Sequence, residues 1–172
     1  AIYISLNSLD APLARKMEPR ASSPERRLEA IRKLCAANIP VGVLVAPIVP
    51  GLNDIEIPAV LNAAAEAGAS FASYVVLRLP LAVEELFTEW LEEAYPNKKK
   101  KVLNRLRSLR NGVLYNSDYE SRIVGQGVFA KQIADLLKLS VRKAGIASKG
   151  PILDPTGFIT PFGKQMTLFI ES

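Results

Sequence analysis

The chain has 172 residues, 49% of them hydrophobic, enough for one domain with a sizeable core, and 22 Lys and Arg against 17 Asp and Glu, a formal charge of +5. That mild excess favours polyanionic partners without identifying one. With no histidine and a single cysteine, Cys35, the chain excludes an internal disulfide, any Ser/His/Asp or Cys/His nucleophile system, and a zinc site of the usual kind.

The elements follow in chain order. Residues 1 to 6, within "AIYISLNSLD", read as a strand. A chain that opens on a lone parallel-type strand, without an initiating Met, reads as a start in mid-fold, from a larger parent or a processed end. A polar stretch from Asn7 to Ser22 follows. Ser23-Pro24-Glu25 then starts a helix, with serine as cap, proline in the first turn and an acid complementing the dipole. It runs to about Ala37 and places Cys35 beside Leu28, Ile31 and Leu34, where packing in the core is expected. The strand Val41 to Val45 comes next, then a loop from Ala46 to Asp54 and an alanine-rich helix closed by Gly68. "FASYVVL", residues 71 to 77, is a third strand.

Strand-helix-strand-helix-strand with continuously apolar strands is the pattern of βαβ units and a parallel sheet, half a barrel or a doubly wound fold. After Pro80 the pattern is helical: Leu81 to Tyr95, Asn97 to Leu109, and about Phe129 to Ala144, closed by Gly145. The run Lys98 to Lys101 reads as the exposed face of a helix start. From Ser148 the chain is rich in proline and glycine and reads as an extended tail ending in the apolar "QMTLFI". Three parts are expected: 1–95, an all-helical extension 96–147, and the tail 148–172. Pro40, Pro47 and Pro50 interrupt the one long apolar run below the ~18 residues a bilayer span needs, so a cytoplasmic protein is expected.

In parallel α/β folds, ligands lie beyond the C-terminal ends of the strands. Ser5 and Asn7 fall on one face of the first strand near its exit and suit a diol. Asn53 and Asp54 follow the second strand, in a loop that prolines stiffen and Gly51 opens to a flat ligand. Both also read as helix caps. Arg78 ends the third strand, where it fits a carboxylate, a phosphate or a structural ion pair. Glu18 and Arg20 flank a proline in "MEPR" and read as a rigid ion-binding arm.

The motifs "ISLNSLD", "ARKMEPRASSPERRLEAIRKL", "NIPVGVLVAPIVPGLND" and "YVVLRLP", in that order, with "YPNKKKKVLNRLRSLRNGVLYNSDY" and "RIVGQG" after them, resemble the second half of a radical S-adenosylmethionine (radical SAM) protein. Within that superfamily they are similar to the DNA repair photolyase and spore photoproduct lyase group. The resemblance implies the C-terminal half of a partial (β/α)6 barrel, and a [4Fe-4S] cluster that reduces SAM to yield a 5′-deoxyadenosyl radical. It places Ser5 and Asn7 near the SAM ribose, Glu18 and Arg20 near its amino and carboxylate ends, Ile48 and the Gly51–Asn53 loop over the adenine, and Tyr74 to Arg78 along the barrel mouth. The family's CxxxCxxC motif is absent, so the cluster ligands are expected in a missing N-terminal part. Gln165-Met166-Thr167-Leu168-Phe169 resembles the peptide by which bacterial proteins bind the DNA sliding clamp, with Gln165, Met166, Leu168 and Phe169 as anchors. Two other readings stand beside the radical SAM enzyme acting on nucleic acid: a non-catalytic module that binds SAM, a nucleotide or the clamp, and an ordinary TIM-barrel enzyme with an anionic substrate.

Overall fold

The computed structural model describes residues 1–115, 121–154 and 156. Its elements are β1 (Ile2–Ser5), α1 (Ala11–Met17), α2 (Pro24–Ala36), β2 (Val41–Ile48), a 3-10 turn (Asp54–Glu56), α3 (Ile57–Glu66), β3 (Phe71–Val76), α4 (Val83–Ala94), α5 (Pro96–Ser108), α6 (Ser121–Val124) and α7 (Gly127–Ala144). The strands form one three-stranded parallel sheet in the order β1-β2-β3. The expected α/β class and parallel pairing are present; the sheet is open at both edges of this set, and a closed barrel is not seen among the described residues. After α7 the chain returns to the free edge of β3, where Ala147 bridges Phe71 in parallel.

Alternation along the strands divides the sheet into two faces. On one face Val41, Val43 and Val45 join Ala72 and Val76 in a core with Ile31 of α2, Val60, Leu61 and Ala64 of α3, and Ile133 and Val141 of α7. On the other, Tyr3, Gly42 and Phe71 stand in one register row, and Ser5, Leu44 and Ser73 form the next. Tyr3 and Phe71 meet edge to face across Gly42, with ring centroids 4.9 Å apart. A second apolar cluster lies over the loops beyond the strands, where Leu91 of α4 and Val102, Leu103 and Leu106 of α5 meet Val49, Leu52 and Leu79.

The helix from Ser23 starts as expected, the serine Oγ accepting from Arg26 N. Gly68 and Gly145 close α3 and α7 with positive φ. Lys98, Lys100 and Lys101 are exposed, and Lys99 pairs with Glu92 at 2.6 Å.

Three expectations are corrected. The polar stretch Asn7–Ser22 contains a helix, α1, which Asp10 caps by accepting from Leu13 N. β2 does not end at Val45 but runs through the cis Ala46–Pro47 bond to Ile48. The β2–β3 register shifts between Val45 and Ile48, and Pro47, which has no N–H to give the ladder, falls in that irregularity. Cys35 is exposed rather than packed in the core. Its neighbour is Gly68, where an added Cβ would come within 2.7 Å of the sulfur, so no side chain from that turn covers the thiol. Among the described residues no helix is long and apolar enough to cross a membrane.

Candidate functional site at the strand ends

Three polar clusters lie beyond the C-terminal ends of the strands. At β1, the organising side chain is Arg27, one turn into α2. Its Nη1 donates to the Ser5 carbonyl at 3.0 Å and lies 3.2 Å from Ser5 Oγ. Its Nη2 donates to Glu18 Oε2 at 3.0 Å, and Asn7 Nδ2 donates to the same oxygen at 3.0 Å. Arg27 is 12% and Glu18 34% exposed, so this ion pair is partly shielded from water. Beside it is a cavity of about 120 Å³ lined by Leu6, Asn7, Ala14, Glu18 and Arg27. The structure thus brings Ser5, Asn7 and Glu18 together and leaves Arg20 out: the turn after α1 points Glu18 inward, while Arg20 is exposed.

The second cluster is the loop after β2. Asn53 is 3% exposed. Its Oδ1 accepts from Val49 N at 2.7 Å, and its Nδ2 donates to the carbonyls of Asn7 at 2.8 Å and Pro47 at 3.0 Å. The amide therefore closes its own loop and fastens that loop to the exit of β1. Asp54 Oδ1 accepts from Gly51 N, and its Oδ2 accepts from Arg105 Nη1 at 3.1 Å. Gly51 has φ +92° and lies against the Arg105 and Lys101 side chains, so its freedom serves the turn and the approach of α5. Ile48 is 1% exposed and its side chain belongs to the core. A further tie joins the two loops: Ser8 Oγ lies 2.8 Å from both Glu56 carboxylate oxygens, and Leu9 N donates to Oε2 at 2.9 Å.

At β3 the third cluster contains Arg78 and Arg110. Arg110 follows α5, is 1% exposed, and donates from Nη2 to the Leu77 carbonyl at 2.6 Å. Burial, and then the charge of Arg78, hold its pKa below the ordinary arginine value. Tyr74 does not share this end of the strand. Its ring packs with the core on the helical face, near Gly125–Gly127 and Ala130, and burial raises its phenol above the usual pKa.

Arg27, Glu56 and Arg110 were missed in the sequence. Arg27 stands in the quoted "SSPERR", but its partners lie 22 and 9 residues away, and nothing local marks that reach. Gln165, Met166, Leu168 and Phe169 lie outside the described residues.

Among the described residues no group of three His, Cys, Asp or Glu side chains is placed to hold a metal ion. Cys35, the one cysteine in the sequence, is in the last turn of α2, at the rim opposite these clusters, because α2 runs back antiparallel to the strands. The residues present therefore do not fit a [4Fe-4S] cluster, which takes its ligands from several cysteines.

Residues 1–64, which carry β1, β2, most of α3 and, apart from Arg105 of α5, the first two clusters, match the family model of the Radical SAM superfamily. The chain is 31% identical over 111 residues to an uncharacterized protein of Mycobacterium tuberculosis, covering 63% of this chain and 32% of that one. It is 43% identical over 49 residues to an uncharacterized protein of Acidianus two-tailed virus, covering 28% of this chain and 16% of that protein. The chain thus spans a third or less of the length of these curated relatives. No solved structure matches.

Proposed function

We propose that this chain is the SAM-binding part of a longer radical SAM enzyme. The observation that carries the reading is the Radical SAM match over residues 1–64, a segment that holds the Ser5–Asn7–Glu18–Arg27 cluster at a strand exit, where parallel α/β folds bind ligands. Ser5 and Asn7 would face the ribose diol. Glu18, whose Oε1 has no partner among the described residues, would accept from the SAM ammonium, and Arg27 holds that carboxylate in place. Because Asn53 and Ile48 are occupied by the fold, the Gly51–Asn53 loop would meet the adenine through its backbone. Arg20 would approach the SAM carboxylate from solvent, and the backbone at Leu77, just past β3, would form the far wall, Tyr74 being packed with the core. The reductive chemistry would come from a cluster supplied from outside this chain; this chain's own residues would orient SAM and exclude water.

The finer reading is a photolyase-like enzyme acting on DNA. It is supported by the resemblance of "MEPRASSPERRLEAI" and "GQG" to that group and by the +5 charge. The longer protein containing this chain, reconstituted anaerobically with iron and sulfide, should cleave SAM to 5′-deoxyadenosine. In it, Glu18→Gln should raise KM for SAM about tenfold with secondary structure retained, roughly one lost charge-assisted contact. A reconstituted protein inert towards SAM removes the reading. Deleting residues 165–169 should abolish binding to a bacterial sliding clamp; undiminished binding disposes of that partner.

A further inference from the structure

We propose that Arg78 and Arg110 form a receptor for a phosphate group at the C-terminal end of β3. Arg110 heads the fully buried side chains of the protein at 1% exposure, and a guanidinium stays protonated under all ordinary conditions. Yet among the described residues only its Nη2 is bonded, to the Leu77 carbonyl. Among the described residues its Nε and Nη1 are buried without a hydrogen-bond partner, and so is Nε of Arg78, the residue after that carbonyl. The ion pairs among the described residues are Arg27–Glu18, Lys33–Glu29, Lys99–Glu92 and Arg105–Asp54; none reaches either arginine.

Two neighbouring cations with buried, idle donors are unfavourable unless an anion joins them. Three donors are idle. A carboxylate offers two oxygens, whereas a phosphate offers three or four in a tetrahedral array that two guanidinium forks grip well. The place also suits a ligand. Arg78 is the second residue past β3, two strand spacings, about 10 Å, from the exit of β1, so the phosphate would lie beside the Ser5–Asn7–Glu18 cluster and not in it. This inference does not depend on SAM chemistry.

The test is thermal unfolding of the full chain in inorganic phosphate against chloride at matched ionic strength, with thymidine 5′-monophosphate and thymidine as further arms. Phosphate should raise Tm by linkage, and Arg78→Gln should weaken the apparent phosphate affinity at least about tenfold. Arg110→Met should abolish the phosphate response and lower Tm in chloride only a little, because loss of the Leu77 carbonyl contact is offset by removal of an uncompensated buried charge. If that variant fails to fold, Arg78→Gln, at a half-buried position, carries the test alone. A larger shift with the nucleotide than with inorganic phosphate assigns the receptor to a nucleotide phosphate, and equal shifts assign it to free phosphate; either supports the receptor. No shift in the wild-type chain, a shift retained in the variants, or a shift erased by saturating SAM overturns the proposal.

Discussion

Asn53→Ala should destabilise the chain by about 3–5 kcal/mol, a large part of the roughly 5–15 kcal/mol that holds a domain of this size together. The truncation leaves Val49 N–H and the carbonyls of Asn7 and Pro47 without their partner, in a place where Asn53 itself is 3% exposed. Each orphaned group costs about 1–3 kcal/mol if water cannot follow. Asn53→Asp sharpens the test. The acceptor to Val49 survives, but a carboxylate oxygen then faces two carbonyls, so at neutral pH this variant should be no more stable than the alanine. The facing carbonyls raise the new carboxyl's folded-state pKa above its unfolded value of about 3.9. The folded form then binds more protons, so stability relative to wild type rises as pH falls through that raised value. Urea unfolding of the three proteins between neutral pH and pH 4 measures this. A loss under about 1 kcal/mol for Asn53→Ala would mean that the loop closes without the amide, leaving that side chain free for a ligand.

The contrast between Asn53 as a ligand contact and Asn53 as a loop clasp shows what a sequence of this kind reveals. Strand and helix types were legible because their signals are local: the valines of β2, Ser23-Pro24-Glu25 at the start of α2, Gly68 and Gly145 at helix ends. α1 was not, because seven residues contain too little apolar repeat, only Leu13 being buried; Asp10 and Pro12 were its readable start signals. Polar groups do gather at the strand exits. What each group does there depends on partners far along the chain. Asn53 reaches Asn7 across 46 residues and Ser8 reaches Glu56 across 48, and no spacing rule anticipates such pairs. Glu18 and Arg20 looked like one arm because they flank a proline; the turn after α1 sends one inward to Arg27 and leaves the other in water. Arg110 stands just past the helix expected over Asn97 to Leu109, and its burial follows only from the packing of α5 over the strand-end loops.

Gly42→Ala should destabilise by about 3 kcal/mol, and Gly42→Val should prevent folding, because the space beside Gly42 is already filled. A Cβ there would lie 2.1 Å from Phe71 Cε2 and 2.2 Å from Cδ2. The ring has little freedom to move aside. It is 2% exposed, Tyr3 meets it at 4.9 Å, and Gly150 lies close enough that an added Cβ would be 3.3 Å from Cε2. Phe71→Leu, by shortening that ring, should relieve the clash. The double variant Gly42→Ala/Phe71→Leu should therefore lose less stability than the sum of the two single losses, by about 1–3 kcal/mol. Strict additivity in urea unfolding would show that the strands part around the methyl group and that the ring is not the obstacle. The same cycle separates stability from binding. Gly42 and Phe71 pair near the N-terminal ends of β2 and β3, whereas Asn7, Glu18, Arg78 and Arg110 lie at the opposite rim. Molecules of Gly42→Ala that remain folded should therefore bind phosphate as the wild type does, while Arg78→Gln keeps most of its stability and loses the ligand.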